Sequence, residues 1–180
     1  TKVPSEIIDI HCHVAGIGAG GSGCFVSPSM RRNWRYYIYL KAFGITENDL
    51  MREGDAIVIR RISAKMAASR YVAKAVILAM DGVIDEEGKL DVTRTEMYIP
   101  NAYVAAQVRR YPNLLFGASI NPYRKDAIQL LEQAKADGAV LVKWLPSVQL
   151  IDPADRRLIP FYLKMKALGL PLLSHTGTEN

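Results

Sequence analysis

Apolar, β-rich runs alternate with amphipathic stretches along most of the chain. The helical spacing is clearest in the stretch that contains Ala127, Leu131 and Ala134, and Gly138 then stands where helices commonly end. Strands that alternate with helices form parallel sheets with crossover helices, so this order predicts an α/β fold. The five predicted strands cover residues 7–13, 73–80, 114–121, 139–145 and 171–175.

Two more crossover helices are predicted from capping residues. Asp152 and Pro153 have the residue types of an N-cap and a first helical position, and Gly169 has that of a C-terminal stop. Pro160 falls inside this segment and predicts that it splits into two turns or helices. A shorter helix is predicted within residues 100–112, before the third strand.

The first crossover, residues 14–70, is much longer than a usual connection. It contains a Gly-rich loop, a basic aromatic segment and a predicted helix over residues 56–69. The apolar residues of the aromatic segment favour the buried face of a helix, and a lid over an active site is the alternative. These residues are Trp34, Tyr37, Ile38 and Phe43. Residues 81–100 form a second long, polar connection.

Composition and charge exclude several classes of protein. The 180 residues, 49% hydrophobic and 23% charged, suit one domain or part of a larger one. The apolar runs are short, which predicts no membrane span, and we expect no signal peptide because no charged-then-apolar leader is visible. The net charge of +5 comes from scattered basic pairs, which predicts a solvated surface and no nucleic-acid partner.

The two cysteines, Cys12 and Cys24, lack the spacing of a zinc knuckle. We therefore interpret both as reduced thiols in a cytoplasmic protein.

Glycines after the first strand spell G-x-G-x-x-G at Gly16, Gly18 and Gly21. A dinucleotide site needs this turn to open a helix and an acidic residue about 20 positions further on. Here Ser27 and Pro28 indicate a turn, and the stretch "RYYIYLK" offers no acid. The glycines are therefore interpreted as a flexible loop after the strand.

All three histidines stand at the ends of predicted strands. Residues two apart in a strand point to the same face, so Asp9, His11 and His13 project together. Two such imidazoles can bind one metal ion, with the carboxylate of Asp9 as an orienting group. His175 ends the fifth strand, and strand C-terminal ends are where barrel enzymes build their sites.

The pattern Asp9-x-His11-x-His13 resembles the amidohydrolase superfamily, as do "GAVLVKWLPSVQLIDPAD" around the fourth strand and "GLPLLSHTGTE" on the fifth. The chain is most similar to the amidohydrolase-2 branch, predicted metal-dependent hydrolases that include decarboxylases related to aminocarboxymuconate-semialdehyde decarboxylase. The resemblance covers most of the chain and is strongest at residues 7–13 and 121–179.

The resemblance implies a (β/α)8 TIM barrel that binds one or two divalent metal ions, most commonly Zn²⁺. His11 and His13 match its strand-one ligands, and His175 matches its strand-five ligand. Lys143 matches the strand-four lysine that binuclear members carbamylate. Mononuclear relatives often have a histidine soon after that lysine, whereas Trp144 follows directly here.

Further residues at strand ends are candidates for substrate contact, with a loop cap or a packing residue as the alternative for each. They are Asp81, Asn121, Lys143 and Trp144. Asp9 is a candidate for orienting the metal-binding histidines, with a structural role as its alternative.

The resemblance also implies that residues 1–180 are the N-terminal part of a single barrel domain, about its first five β/α units. We expect strands six to eight, with the acid/base aspartate of strand eight, beyond Asn180. An open five-stranded sheet would expose a long edge at strand five and the apolar face meant for the barrel interior.

The implied function is a hydrolase that directs a metal-activated water at an amide, ester or lactone of a small molecule. A metal-dependent decarboxylase of an unsaturated or aromatic acid is the alternative on the same scaffold. A non-catalytic binding relative is a further alternative. For the oligomeric state, a homo-oligomer is one alternative.

Overall fold

The computed structural model describes residues 7–177, apart from the side chain of Arg35. Thr178 and Glu179, which belong to the fifth-strand motif, lie outside the described residues. The strands are β1 (Ile7–His13), β2 (Phe25–Val26), β3 (Val72–Leu78), β4 (Met97–Tyr98), β5 (Leu114–Ala118), β6 (Ala139–Trp144) and β7 (Leu172–Ser174). The helices are α1 (Pro28–Arg31), α2 (Trp34–Ala42), α3 (Glu47–Glu53), α4 (Ala56–Ala68), α5 (Asn101–Val108), α6 (Ala127–Ala136), α7 (Pro146–Gln149) and α8 (Ile159–Leu168).

A parallel sheet of five strands forms the centre of the fold. Its order is β1, β3, β5, β6, β7, so the five strands predicted from the sequence lie side by side in chain order. All four pairings are parallel, and the predicted α/β class is confirmed. The sheet is curled in a way that is consistent with part of a (β/α)8 barrel.

The two faces of the sheet have different partners. The outer face packs against the helices and carries Ala75, Ile77 and Phe116 in the main core. The inner face has a small apolar cluster of its own, formed by Val76, Leu78 and Leu141, with Leu115 and Leu173 packed against it. Because side chains alternate along a strand, this division assigns each strand residue to one face.

The edge strand β1 exposes much of its apolar surface. Ile7, Ile8 and Ile10 are 37%, 40% and 50% exposed. The open edge that the sequence predicts at the fifth strand corresponds to β7, the opposite edge of the sheet, where Leu172 is 36% exposed.

The predicted buried face of the aromatic segment is wrong for three of its four residues. Trp34, Tyr37 and Ile38 on α2 are 65%, 52% and 55% exposed, and only Phe43, just after the helix, is partly buried. The face that packs inward contains Tyr36 and Leu40 instead. Together with Phe43 these residues follow the i, i+4, i+7 spacing of a helix, one position round from the predicted stripe.

The predicted start of the last helix is also wrong. Asp152 and Pro153 form a turn, and α8 begins only at Ile159, with Pro160 in its first turn. The segment is nevertheless divided, as predicted, into a 3-10 helix (Arg156–Leu158) and α8. Pro160 lies in the first turn of α8, where a helix needs no donor. Gly169 ends the helix in the left-handed conformation, as predicted.

The remaining predicted helices correspond to α4, α5 and α6. The connection over residues 81–100 contains β4, which pairs antiparallel with β2 and was not predicted. Within residues 7–177, no helix has both the length and the apolar character that crossing a bilayer requires.

Candidate metal site and adjoining cavity

The structure brings the three histidines together on the inner side of the sheet. The Nε2 atoms of His11 and His13 lie 3.0 Å apart at the end of β1. His175 directly follows β7, and its ring centroid is 6.5 Å from that of His11. Two ligands of a tetrahedral Zn²⁺ ion lie roughly 3.3 Å apart when each Zn–N bond is about 2.05 Å. The spacing of His11 and His13 therefore suits either a hydrogen bond between the rings or a shared metal ion.

The third histidine does not complete a metal site in this conformation. Among residues 7–177, no group of three His, Cys, Asp or Glu side chains is arranged so that it could hold a metal ion. The His175 ring lies close to Gly177, where an added Cβ would be 3.1 Å from Nε2. A three-histidine site would require this ring to turn towards His11.

His13 is the most enclosed of the possible ligands. Burial, followed by the charges of His11, Lys143 and His175, lowers its pKa from 6.5 to about 4. Its Nδ1 atom is buried and has no hydrogen-bond partner in the part of the chain that the structure describes. Since the neutral imidazole is the form that binds a metal, His13 suits the role of ligand at neutral pH.

Lys143 lies in β6 and is 1% exposed. Alternation along the strand places it on the inner face with Leu141, and its charge contributes to the lowered pKa of His13. The structure thus brings Lys143 towards the histidines. Its carbamylation stays a prediction.

Asp9 is exposed on β1 and accepts a hydrogen bond from the backbone N–H of His11 at 2.9 Å. This bond holds the backbone beside the first histidine. The proposed role of the carboxylate behind the metal ligands stays a prediction.

Asp81 and Asn121 belong to a buried polar network and not to the histidine group. Arg124 donates two hydrogen bonds to the Asp81 carboxylate, at 2.6 and 2.7 Å. The Asn121 amide donates to the carbonyls of Gly82 and Gln149, both at 2.9 Å. The network joins the ends of β3, β5 and β6, which is a structural role.

Sequence reasoning missed Arg124 and Gln149 as members of this network. The Gln149 amide donates to the Asp81 carbonyl at 3.0 Å and to the Ser119 hydroxyl at 3.1 Å. No local motif indicates these contacts, because the partners are 30 or more positions apart in the chain.

Trp144 lies on the opposite side of the sheet from the histidines. It is fully buried, its ring packs against Phe161 and Tyr162, and its indole N–H donates to the Ile120 carbonyl at 2.7 Å. The structure therefore does not bring Trp144 to the site, and its contacts are those of a core residue.

A cavity of about 410 Å³ adjoins His13. Its walls come from the insertion after β1 and from the segments that follow β3 and β6. The lining residues are His13, Met30, Asn33, Tyr36, Tyr39, Met80, Glu96, Met97, Leu145 and Val148. Helices α1 and α2 thus cover the carboxyl ends of the strands, which is the placement that the lid alternative requires.

Two tyrosines of this cavity were missed by the sequence reasoning. The hydroxyls of Tyr36 and Tyr39 are buried and have no hydrogen-bond partner within the described residues. The only signal was the density of tyrosine in "RYYIY", which does not show which side chains point inward.

The Gly-rich loop is anchored by a carboxylate of the protein itself. Asp55, 1% exposed, accepts hydrogen bonds from the N–H groups of Ile17 and Gly18 and from the Ser22 hydroxyl, at 3.0, 2.9 and 2.5 Å. An added Cβ at Gly16 would lie 2.6 Å from Asp55 Oδ2. The amides that would bind a phosphate are therefore occupied, and the interpretation of the loop as flexible is corrected to an anchored one.

Comparison with known proteins gives little further guidance. No family model and no curated protein matches the chain. The fold is similar to a crystal structure of a protein named amidohydrolase II, with a TM-score of 0.45 and 15% sequence identity. The match covers 96% of this chain and 53% of that one, so the chain spans about half the length of that protein. A similarity of this size does not assign a family.

Proposed function

We propose that the chain is part of a metal-dependent hydrolase of the amidohydrolase type. His11, His13 and His175 would bind a divalent metal ion, most commonly Zn²⁺ in the family that the sequence resembles. The observation that carries the proposal is the convergence of the His11 and His13 Nε2 atoms at 3.0 Å, with the His175 ring next to them.

The donor set suits the metal. Imidazole nitrogens are common ligands of Zn²⁺, and the lowered pKa of His13 keeps that ring neutral near pH 7. When bound, a Zn²⁺ ion in such a site supplies a water whose pKa is about 7 and polarises a carbonyl group. Lys143 would either act as a second ligand after carbamylation or remain a buried cation beside a single ion.

The cavity supplies the place for a substrate. Its methionine and aliphatic walls exclude water from a compound that lies against His13. In the proposed hydrolysis a water oxygen adds to the carbonyl carbon, the C–N or C–O bond breaks, and the departing nitrogen or oxygen takes up a proton. The family resemblance assigns this proton transfer to an aspartate of strand eight, so full activity is proposed for a protein that contains one.

Metal content tests the site. We expect purified protein to contain at least one equivalent of transition metal by elemental analysis, and the double variant His11→Ala, His13→Ala to contain none. Cys12→Ala is the matched control, because Cys12 lies between the two histidines but packs towards the main core. Metal-free native protein that takes up no added Zn²⁺ would contradict the proposal.

A substrate screen separates the hydrolase from a decarboxylase, in which a C–C bond breaks and CO₂ leaves. Amides, esters and lactones are compared with unsaturated and aromatic acids, and CO₂ release is followed in the second group. Turnover of the acids alone would replace the hydrolase proposal by the decarboxylase.

A further inference from the structure

We propose that helix α2 is a docking surface through which the protein binds the face of an anionic phospholipid bilayer. Its exposed aromatic and aliphatic side chains enter the headgroup region, and nearby cations contact the charged lipid headgroups. The helix lies along the bilayer surface and does not cross it. This inference goes beyond the proposed hydrolysis and does not depend on it.

The two sides of α2 have different surroundings. Tyr36 and Leu40 face inward and are buried, at 3% and 1% exposure. Trp34, Tyr37 and Ile38 are 65%, 52% and 55% exposed. The spacing i, i+3, i+4 places these three side chains next to one another on the side of the helix that faces away from the core. They form an apolar surface that we call the α2 stripe.

The α2 stripe is too small for a stable interface between two proteins. A large aromatic side chain buries about 150–250 Å², so three side chains that are half to two-thirds exposed offer roughly 400 Å² together. A stable protein–protein interface buries about 800 Å² on each partner. A bilayer sets no such minimum, because binding at its surface scales with the apolar area buried and with the attraction to anionic lipids.

The composition of α2 is that of an interfacial helix. Trp and Tyr are enriched where membranes meet water, and helices that lie on bilayers combine such residues with Lys and Arg. Lys41 follows Ile38 on the same side of α2, about one turn further on. Lys65 of α4 donates a hydrogen bond to the Ala42 carbonyl at 2.5 Å, so two cations lie at the C-terminal end of the helix.

The charge of this part of the chain favours an anionic surface. Residues 10–46 contain four Lys or Arg and no Asp or Glu. Arg31 forms an ion pair with Glu47 of α3, whereas Arg32 and Lys41 are exposed and form no ion pair with any residue that the structure describes. Each Lys or Arg beside an anionic bilayer strengthens binding by about fivefold.

Vesicle binding by the full chain tests the inference. Vesicles of phosphatidylcholine alone are compared with vesicles that contain about 30% phosphatidylserine, and we expect at least tenfold tighter binding to the anionic ones by cosedimentation. Trp34 reports the contact, because its fluorescence should shift to shorter wavelength as the ring leaves water. The other tryptophan, Trp144, is fully buried and should not respond.

Serine variants test the apolar contribution. Tyr37→Ser with Ile38→Ser removes two side chains of the α2 stripe and keeps the Trp34 reporter, and it should weaken vesicle binding more than tenfold. Ile159→Ser with Leu163→Ser is the matched control, because these residues are 51% and 61% exposed on α8. The control should bind vesicles like the original protein.

A charge variant tests the electrostatic contribution. Arg32→Gln with Lys41→Gln should weaken binding to the anionic vesicles by about 30-fold and leave binding to phosphatidylcholine unchanged. Both residues are exposed, so urea unfolding should show that this variant is as stable as the original protein.

The inference is overturned if the protein binds neither kind of vesicle, if it binds both equally, or if the Tyr37→Ser, Ile38→Ser variant binds as tightly as the original protein. Sedimentation velocity identifies the competing occupant. A dimer that this variant loses, in a protein that binds no vesicles, would assign the α2 stripe to a second copy of the chain and overturn the bilayer assignment.

Discussion

His11 and His175 belong to opposite edges of the five-stranded sheet, yet their ring centroids are 6.5 Å apart. In a flat sheet, four strand spacings would separate β1 from β7 by about 19 Å. The curl of the sheet therefore creates the proposed site, by turning its two edges towards each other. A metal ion held by both histidines would tie these edges together.

This relationship predicts that Zn²⁺ stabilises the fold. At a free Zn²⁺ concentration 100 times the dissociation constant, a ligand that binds only the folded state adds about 2.7 kcal/mol to the free energy of unfolding. We expect His11→Gln and His175→Gln each to lose most of this gain, because each removes one of the three proposed ligands. Urea unfolding with and without Zn²⁺ measures the difference.

Cys12→Ala should keep the full gain in this experiment. A gain in stability that His175→Gln leaves intact would show that the metal binds β1 alone, and that β7 takes no part in the site.

The close packing of the inner face depends on a glycine in the middle strand. Gly117 lies on the inner face, where an added Cβ would be 2.6 Å from Leu78 Cδ2 and 2.9 Å from Val76 Cγ1. We expect Gly117→Ala to lower the free energy of unfolding by about 1–3 kcal/mol, as overpacked cores do. Because the cause is steric, Leu78→Ala should relieve part of the clash. The double variant should therefore lose less free energy of unfolding than the two single variants lose together. Strict additivity in chemical denaturation would contradict this explanation.

Local sequence signals were sufficient for the sheet and most crossover helices. Apolar runs and helix stops depend on neighbouring residues, so the strands and the end of α8 at Gly169 could be predicted. The start of α8 could not be predicted from local sequence. Pro153 and Pro160 each stand where the first turn of a helix could begin, so both positions are possible helix starts. Only tertiary packing decides between them.

The residues of the candidate site also fall into those that the sequence predicts and those that it does not. His11, His13 and His175 could be predicted because strand ends meet at one edge of a parallel sheet. Tyr36 and Tyr39 could not, since the orientation of α2 over the strand ends depends on contacts distant in sequence. The buried partners of Asp81 were missed for the same reason.

The thiol of Cys24 should be unreactive in the folded protein. Burial raises its pKa from 9.0 to about 12, and the thiolate is the reactive form. In a Cys12→Ala background, where Cys24 is the only thiol, we expect alkylation by iodoacetamide at pH 8 to be about 1000-fold slower than in urea. The rate should rise about tenfold per pH unit above pH 8, because the thiolate fraction rises until the pH reaches the pKa. Mass spectrometry follows the reaction. A native rate close to that in urea would contradict the burial of this thiol.

Asp55 should be critical for the stability of the insertion. Its carboxylate is the acceptor for the N–H groups of Ile17 and Gly18 and for the Ser22 hydroxyl. Asp55→Ala leaves three partly buried donors without their acceptor, and each such loss costs about 1 kcal/mol or more, so we expect a decrease of about 3 kcal/mol in the free energy of unfolding. Asp55→Asn retains one acceptor oxygen and should lose less.

Asp137→Ala is the matched control, since its ion pair with Arg109 is largely exposed and should contribute under about 1 kcal/mol. Urea unfolding of the three variants checks the order, and an Asp55→Ala protein as stable as Asp137→Ala would show that the loop does not depend on this anchor.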